Sequence, residues 1–367
     1  MTQRLSLSTL AVRNLRNLVR VDLETGPRFN VISGDNGQGK TNLLEAVYVV
    51  ATSKSFRATK PGDLVRLGDA AGSVRATLVE DGAARVQSVG LEQGKRHVRI
   101  DEKRPHSLVA YAVRTPAVVF HPGEISLSMG AGAERRRLLD RVSLYVAPEA
   151  SGELADYTRA LRERQRTLET RGPSSADLED WEEILVRVGL GVMARRRETA
   201  LLLGSAARSA FEQIAEQGST LDVAYAPGAP EGAEPYRKAL GAHRATDARR
   251  GFAKVGPHRD DLDLSIDGHP ARGVASQGQH RAVVLALKSA EVDVIARARG
   301  VRPLLLLDEV SSELDRARTA SLFGLLRRHE GQVFLTTTRP ELIDTGSLTD
   351  ASLRVDFRVS RGHVERA

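Results

Sequence analysis

Residues 34–41, which read GDNGQGKT, have the composition and spacing of a phosphate-binding loop. An apolar strand pattern precedes them and a helical pattern follows, so their backbone N–H groups lie at a helix N-terminus, where a phosphate is stabilised. Lys40 is predicted to reach the terminal phosphates of a nucleotide, and the Thr41 hydroxyl to bind Mg²⁺. The predicted nucleotide-binding residues are Gly34, Asp35, Asn36, Gly37, Gln38, Gly39, Lys40, Thr41 and Asn42.

Two adjacent acids supply the partner that such a loop requires. Asp308 and Glu309 follow four leucines, the pattern of a buried strand, and stand at its carboxyl end. Asp308 is predicted to bind Mg²⁺ together with Thr41, and Glu309 to polarise the attacking water. A carboxylate beside the metal ligand favours hydrolysis over phosphoryl transfer to a small acceptor. The predicted catalytic residues are therefore Glu309 and Lys40.

A third motif, SQGQ at residues 276–279, stands at the predicted start of a helix. A serine hydroxyl and a glycine backbone in that position can offer donors to an anion. The motif resembles the signature motif of ABC-type ATPases, with Gln277 where a glycine is commonest. The resemblance implies that Ser276, Gln277, Gly278 and Gln279 complete the nucleotide site of a second subunit in a head-to-tail pair. SELD at residues 312–315 resembles the D-loop, with Asp315 at the same interface.

The patterns around these motifs predict an α/β fold. Short strand patterns lead into the loop, and strand and turn patterns between residues 73 and 105 predict a small antiparallel lobe. In the last third of the chain, helix and strand patterns alternate, which indicates a parallel sheet flanked by helices. The expected fold is an ABC-type P-loop ATPase head, with a mixed or parallel sheet, helices and an antiparallel lobe, and with an inserted α-helical arm.

The arm is predicted from helical periodicity between about residues 134 and 216, where strand patterns are almost absent. Leu154, Leu161 and Leu168 recur every seven residues, and RGPSS at 171–175 interrupts the helix. Apolar stripes of this kind are packing faces far more often than binding sites. We therefore expect a head formed by residues 1–124 and 241–367 and a helical arm formed by residues 125–240.

The bulk composition restricts the class of protein. The length of 367 residues allows two domains, and the absence of cysteine excludes disulfide frameworks and thiolate metal sites. No apolar run approaches the roughly 18 residues of a membrane helix, so the cytoplasm is the expected compartment and no membrane contact is expected. The net charge of +7, supplied mainly by arginine, suits a polyanion partner, although coding bias in a G+C-rich genome also produces an arginine excess.

Over nearly its whole length the sequence resembles the RecF family, bacterial recombination mediators among the SMC/Rad50-like ABC ATPases. The resemblance rests on NLRNL (14–18), GDNGQGKTNLLEAVY (34–48), SFR (55–57), ERRRLLD (134–140), KVGPHRDDL (254–262), SQGQHR (276–281) and LLLLDEVSSELD (304–315). It implies ATP and Mg²⁺ as cofactors, weak DNA-stimulated hydrolysis and an ATP-dependent homodimer that closes on DNA at single-strand/double-strand gap junctions. RecO and RecR are the implied partners in loading RecA, at the nucleoid.

Two departures from the ABC pattern concern the hydrolysis machinery. Where many transporter-type ATPases have a switch histidine, residues 333–338 read VFLTTT, so Thr338 is the candidate for a contact with the γ-phosphate, and slow hydrolysis is expected. The glutamine expected in the Q-loop is missing near residues 118–124, where His121 and Glu124 are the nearest polar candidates. The arm is also too short for the long coiled coil of SMC proteins.

Arginine clusters are the candidates for contacts with DNA phosphates. Those in the predicted arm are Arg135, Arg136, Arg137, Arg195, Arg196 and Arg197. A run of charge is more often a solvated helix face, and both interpretations stay open. With aromatic content of only 4%, contacts with the duplex backbone are favoured over stacking on single-stranded bases. His258, Asp260 and Asp261 are expected to form a polar network rather than a metal site.

Three rival functions are considered. An ATP-binding subunit of a membrane transporter fits less well, because Lys40 and Asp308 are far apart in the sequence. A GTP switch lacks the NKxD guanine motif. A scaffold that binds ATP without hydrolysing it is favoured by the missing switch histidine and opposed by Glu309.

Overall fold

The structure, a computed structural model, describes residues 4–215, 218–309, 326, 329–343 and 353–367. Asp315, the predicted D-loop residue, lies outside the described residues. The chain forms two compact units: Met1–Glu124 together with Glu291–Ala367, and Ile125–Ala290. The first boundary follows Glu124, as in the predicted division, and the second lies inside a helix, later than residue 241. The division into head and arm stays a prediction.

The described secondary structure comprises fourteen strands and eight α-helices. The strands are β1 Leu5–Leu15, β2 Leu18–Glu24, β3 Phe29–Ser33, β4 Ala71–Glu80, β5 Ala83–Glu92, β6 Lys95–Ile100, β7 Ala117–Phe120, β8 Leu221–Ala226, β9 Asp261–Ile266, β10 His269–Pro270, β11 Leu304–Leu307, β12 Val333–Thr337, β13 Arg354–Ser360 and β14 His363–Arg366. The helices are α1 Lys40–Thr52, α2 Leu108–Ala112, α3 Ser126–Met129, α4 Gly132–Val146, α5 Ser151–Arg171, α6 Asp177–Glu212, α7 Ala233–Arg250 and α8 Gln277–Arg299.

The first unit contains the predicted antiparallel lobe. Its five strands lie in the order β2-β1-β4-β5-β6, so that β2 and β6 are the two edges. Buried and more exposed residues alternate along β4 and β5, which gives the sheet one face toward the core. Asp81 and Gly82 both have positive φ in the turn between these strands, as the Asp-Gly signal predicts. The lobe is confirmed.

The second sheet of this unit has the order β14-β13-β3-β12-β11-β7. All neighbouring pairs are parallel except β13 and β14. The four leucines of β11 are fully buried, because helices and strands cover a parallel sheet on both faces. The carboxyl ends of parallel strands lie at one edge of a sheet, so Ser33, Leu307 and Thr337 end their strands on the same side. This edge positions the chemistry described below.

The second unit is mainly helical. Its helices α5, α6 and α7 pack through a cluster of buried residues that includes Tyr157, Leu185 and Tyr236. The predicted interruption is found, since α5 ends at Arg171 and α6 begins at Asp177. A small antiparallel sheet, in the order β10-β9-β8, completes the unit. None of the helices in the described ranges is long and apolar enough to cross a membrane.

Candidate active site at the phosphate loop

The phosphate loop connects β3 to α1, the position its sequence pattern requires. Gly34 has φ +148°, and a side chain there would collide with the backbone carbonyl of Val359. Gly39 has φ +118°, and a Cβ there would lie 2.7 Å from the side-chain oxygen of Asn17. Both positions therefore require glycine, because Gly34 lies against the neighbouring strand β13 and Gly39 lies against the turn between β1 and β2.

Lys40 points back into the loop and is almost completely buried. Its Nζ donates to the carbonyl oxygens of Gly34 at 2.9 Å and Asp35 at 3.0 Å, and it lies 3.1 Å from Oε1 of Glu309. An ammonium group has three N–H donors. These three partners match its capacity, so a phosphate that binds Lys40 must replace at least one of them.

Thr41 meets the acid pair on the neighbouring strand end. Its hydroxyl donates to the carboxylate oxygens of Asp308, at 2.8 and 3.1 Å. The carboxylate also accepts a hydrogen bond from the Thr336 hydroxyl at 2.8 Å. Thr41 and Asp308, 267 residues apart in the sequence, are thus brought into contact, as the prediction of a shared metal requires.

Glu309 has an unusual backbone conformation, with φ +48°. Left-handed φ in a residue other than glycine costs free energy, on the order of 1 to 3 kcal/mol, and persists only where surrounding contacts impose it. Here the Glu309 amide donates to the Thr336 hydroxyl at 2.9 Å, and its carboxylate pairs with Lys40. Thr336 therefore contacts both acids, and the strained turn aims Glu309 toward the loop.

Two turns outside the motif brace the loop. The side-chain nitrogen of Asn17 donates to the backbone carbonyl of Gln38 at 3.0 Å, and its side-chain oxygen accepts from the side chain of Asn42 at 2.7 Å. In the turn between β13 and β14, the Arg361 amide donates to the Gln38 side chain at 2.7 Å and the Gly362 amide to the Gln38 carbonyl at 2.9 Å. Gln38 is therefore held from two sides, which limits the conformations of the loop.

The donor set fits a nucleotide and Mg²⁺. Hydroxyl and carboxylate oxygens are the ligands that Mg²⁺ prefers, and Thr41 and Asp308 supply one of each. The ammonium of Lys40 and the backbone N–H groups at the start of α1 are suited to phosphate oxygens. The arrangement can therefore bind a nucleoside triphosphate and direct Glu309 toward its terminal phosphate.

The signature motif belongs to the second unit and begins α8. The Ser276 amide donates to the Gln279 side chain at 2.8 Å, and the Gln279 amide donates to the Ser276 hydroxyl at 3.2 Å. This reciprocal pair is a capping box. Ser276 and Gln277 are exposed, so the helix N-terminus they form is accessible to an anion.

Comparison with known proteins identifies the family. The model of the RecF/RecN/SMC N-terminal domain matches residues 6–360. The DNA replication and repair protein RecF of Anaeromyxobacter sp. (strain Fw109-5) is 40% identical over 369 residues, which cover 98% of this chain and 99% of that protein. This chain belongs to the RecF family.

Solved structures agree with this assignment. The structure of the recombination mediator protein RecF-ATPrS in the RecFOR pathway covers 100% of this chain and 99% of its own, with 26% sequence identity and a TM-score of 0.87. The Smc head domain of Pyrococcus furiosus, at 16% identity and a TM-score of 0.56, shares the fold. Both the expected RecF resemblance and the expected α/β head fold are confirmed.

The candidates for the switch and Q-loop positions differ in their exposure and contacts. Thr338, the switch candidate, is exposed just beyond the end of β12, whereas Thr336 is buried against Asp308. His121 stacks on Phe56, with ring centroids 5.5 Å apart, and lies 3.7 Å from Glu124. These contacts do not test the roles of Thr338, His121 and Glu124, so all three assignments stay predictions.

The arginine triplets lie in the second unit, and their guanidinium groups have partners there. Arg135 is buried and binds both carboxylate oxygens of Asp261, at 2.7 and 2.9 Å. Arg196 is buried and binds Asp140 through two hydrogen bonds and Asp260 through a third, each between 2.8 and 3.0 Å. This burial counts against Arg135 and Arg196 as contacts with DNA.

The remaining four arginines of the triplets are more accessible. Arg136 donates to the Asp260 carbonyl at 2.7 Å. The other three pair with glutamates: Arg137 with Glu134, Arg195 with Glu153 and Arg197 with Glu231. Five of the six arginines therefore form ion pairs, and Arg136 donates to a backbone carbonyl. Their predicted contact with DNA is untested.

The GPHRDD segment forms a polar network in the second unit. His258 bonds to the Tyr157 hydroxyl at 2.6 Å and to the Ala253 carbonyl at 2.8 Å, and burial lowers its pKa. The buried Asp260 accepts from the Tyr225 hydroxyl and the Gly228 amide as well as from Arg196. Arginine, tyrosine and backbone donors surround these acids, the arrangement of a structural network.

Sequence reasoning missed Asn17 and Thr336 as parts of the site. Asn17 lies in NLRNL, a segment that supports the family resemblance but whose sequence alone indicates no role for its residues. Thr336 stands two residues before the proposed switch position, in a strand whose five residues are all buried. Thr338 is the first residue after this strand and is exposed, so the end of β12 separates the buried hydroxyl from the exposed one.

Proposed function

We propose that this chain is an ATP-dependent DNA-binding protein that dimerises when it binds ATP and binds DNA at single-strand/double-strand gap junctions. In this proposal it assists the loading of RecA in recombinational repair and replication, with RecO and RecR as partners. The relatives described as DNA replication and repair proteins, and the solved mediator of the RecFOR pathway, support the assignment.

One observation carries the enzymatic part: residues from the two ends of the chain meet in one site. Thr41 contacts Asp308 at 2.8 Å, and Lys40 contacts Glu309 at 3.1 Å. A phosphate loop without an acidic strand end could bind anions without hydrolysing them. The meeting of both acids with the loop supports weak Mg²⁺-dependent hydrolysis of ATP to ADP and phosphate.

The residues have distinct roles in the proposed reaction. Lys40 and the backbone N–H groups of the loop bind the phosphates, while Thr41 and Asp308 would hold Mg²⁺. When bound, Mg²⁺ would neutralise phosphate charge. Glu309 orients a water molecule and accepts its proton as the water attacks the γ-phosphate.

The contacts of Lys40 suggest how ATP binding prepares this step. Its ammonium group is shared between two loop carbonyls and Glu309. A phosphate oxygen that takes over the Glu309 contact would release that carboxylate from Lys40. ATP binding and the position of the proposed base are therefore linked through this salt bridge. Ser276 and its exposed helix N-terminus are proposed to act on the nucleotide of the second subunit.

The test is fluorescence anisotropy of a labelled duplex with a single-strand gap, with and without ATP, for the intact protein and Lys40→Met. ATP is expected to tighten DNA binding by the intact protein and to leave DNA binding by the Lys40→Met variant unchanged. Lys238→Met, a loss of an exposed lysine on α7, is the matched control and should behave like the intact protein. Equal binding with and without ATP in the intact protein would contradict the proposal.

A second candidate is a scaffold that binds ATP without turnover. The exposed Thr338, in place of the usual switch histidine, favours it. Phosphate release measured with gapped DNA distinguishes the two. If the intact protein releases phosphate no faster than Glu309→Gln, the scaffold is correct.

A further inference from the structure

A cavity of about 280 Å³ lies in the first unit, between the end of α1 and the edge of the antiparallel sheet. Its polar lining consists of the cationic side chains Lys54, Lys60 and Arg96 and the hydroxyl residues Ser53, Ser55 and Thr59. The other residues that line it are apolar, and none of its lining residues is acidic. The cavity therefore has the chemistry of an anion site and is separate from the phosphate loop.

The walls of the cavity are held by hydrogen bonds of the chain itself. Arg96 donates to the carbonyl oxygen of Ser53, the residue that caps the C-terminus of α1, at 3.1 Å. The Ser55 hydroxyl accepts from the amides of Arg57 at 2.8 Å and Ala58 at 2.7 Å. The turn after α1 is thus fixed, and a ligand would enter a preformed site rather than a free loop.

The charges of the cavity differ in their exposure. Lys54, Thr59 and Lys60 are exposed and form its mouth, whereas Arg96 is half-buried. Burial lowers the pKa of Arg96, so its cation is partly desolvated and an anion beside it would restore favourable interactions. Guanidinium, ammonium and hydroxyl groups together suit phosphate oxygens.

The arginine triplets differ from this cavity in their acidic partners. The guanidinium groups of Arg135 and Arg196 are bound by carboxylates, so a phosphate would have to displace them. None of the residues that line the cavity is acidic, and its nearest carboxylate contact is that of the Ser55 hydroxyl, which donates to the buried Glu45.

We propose that this cavity binds a phosphate of the DNA backbone through Lys54, Lys60 and Arg96. The inference rests on the proposed DNA-binding function and assigns one of its contacts to the antiparallel lobe. Because free phosphate has the same chemistry as a backbone phosphate, the experiment must separate the two sources.

The test compares Lys54→Ala/Lys60→Ala with the intact protein in anisotropy of the gapped duplex, with ATP present, over a series of salt concentrations. Loss of one or two phosphate contacts should reduce the slope of log affinity against log salt by about 1 to 2 and weaken binding on the order of tenfold at low salt. ATP affinity, measured with a fluorescent ATP analogue, should not change. The variant Lys54→Arg/Lys60→Arg should retain binding.

Arg20→Ala is the matched control. Arg20 lies on β2, the opposite edge of the same sheet, and is 74% exposed. It should leave the salt slope unchanged. If Lys54→Ala/Lys60→Ala and Arg20→Ala have the same slope of log affinity against log salt, and the intact protein binds DNA with ATP, the cavity assignment is wrong and the proposed function stands. If the intact protein does not bind DNA, both are wrong.

Inorganic phosphate supplies the second arm. The thermal stability of the intact protein and the double alanine variant is measured with increasing inorganic phosphate. A reduced DNA slope in the double alanine variant supports the backbone as the ligand, whether or not inorganic phosphate stabilises the intact protein more than the variant. Stabilisation of the intact protein alone, with equal DNA slopes, means that the cavity binds free phosphate and contradicts the proposal.

Discussion

The phosphate loop and the arginine triplets of the second unit are both rich in groups that bind phosphate, but they hold these groups in different ways. In the loop, backbone donors at the start of α1 and Lys40 face the strand edge where Asp308 and Glu309 emerge. In the triplets, Arg135 and Arg196 are buried in ion pairs with aspartates from distant segments. A motif whose spacing dictates backbone geometry is therefore more informative than a run of charge, whose partners the local sequence does not show.

The Glu309→Gln substitution tests the loop side of this comparison with the largest expected effect. It keeps the shape of the side chain and removes the proton acceptor, so hydrolysis should fall by about 100- to 10,000-fold. ATP affinity should remain, because Lys40 and the loop are intact. Phosphate release and binding of a fluorescent ATP analogue measure the two quantities. Unchanged hydrolysis would exclude Glu309 as the base.

The substitution Arg196→Ala tests the arginine triplets. This change leaves Asp140 and the fully buried Asp260 without their cation, and should lower the free energy of unfolding by about 3 to 5 kcal/mol. Arg197→Ala, which removes a largely exposed pair with Glu231, should cost at most about 1 kcal/mol. Urea denaturation followed by circular dichroism measures both. Equal small losses in the free energy of unfolding would mean that the buried network does not stabilise the second unit.

Thr336→Val sharpens the description of the strand edge. The substitution conserves shape but removes the hydroxyl that donates to Asp308 and accepts from the Glu309 amide. Asp308 and the Glu309 amide would each lose a hydrogen-bond partner, and an unpaired buried group costs about 1 to 3 kcal/mol. Because both acids would then be held less firmly in the site, hydrolysis should fall roughly tenfold. Thr338→Val is the control at the exposed position. A larger loss in Thr338→Val would instead favour Thr338 as the switch residue.

Asn17→Ala should have the smallest effect. It removes the hydrogen bond to the Gln38 carbonyl and the acceptor for Asn42, each worth about 1 kcal/mol. The affinity for a fluorescent ATP analogue should weaken about five- to tenfold, and the melting temperature should fall by several degrees. A lower melting temperature with unchanged ATP affinity would show that Asn17 only stabilises the turn.

Much of the fold follows from local patterns in the sequence. Alternation predicts the antiparallel strands, the leucine run predicts β11, and RGPSS predicts the interruption between α5 and α6. The strands β13 and β14 were not predicted, although β13 pairs with β3 and its turn with β14 contacts Gln38. The place of β13 depends on pairing with β3 across more than 300 residues, which no local pattern encodes, whereas β14 pairs with β13 across a short turn.

The site divides in the same way. The contacts of Lys40, Thr41, Asp308 and Glu309 agree with the spacing of two motifs whose backbone geometry is fixed. The bracing by Asn17 and the burial of the arginines depend on residues brought together by tertiary packing. Charge clusters therefore indicate the chemistry of a surface only after their carboxylate partners are known.

The most direct test of this comparison is the salt dependence of ATP-dependent binding to the gapped duplex for two sets of charge removals. One set is the lobe variant Lys54→Ala/Lys60→Ala, and the other is the triplet variant Arg137→Ala/Arg195→Ala/Arg197→Ala, whose arginines are exposed or partly exposed. The lobe variant should reduce the slope by about 1 to 2, and the triplet variant should retain the slope of the intact protein. A reduced slope in the triplet variant alone would contradict the account and assign the phosphate contacts to the triplets.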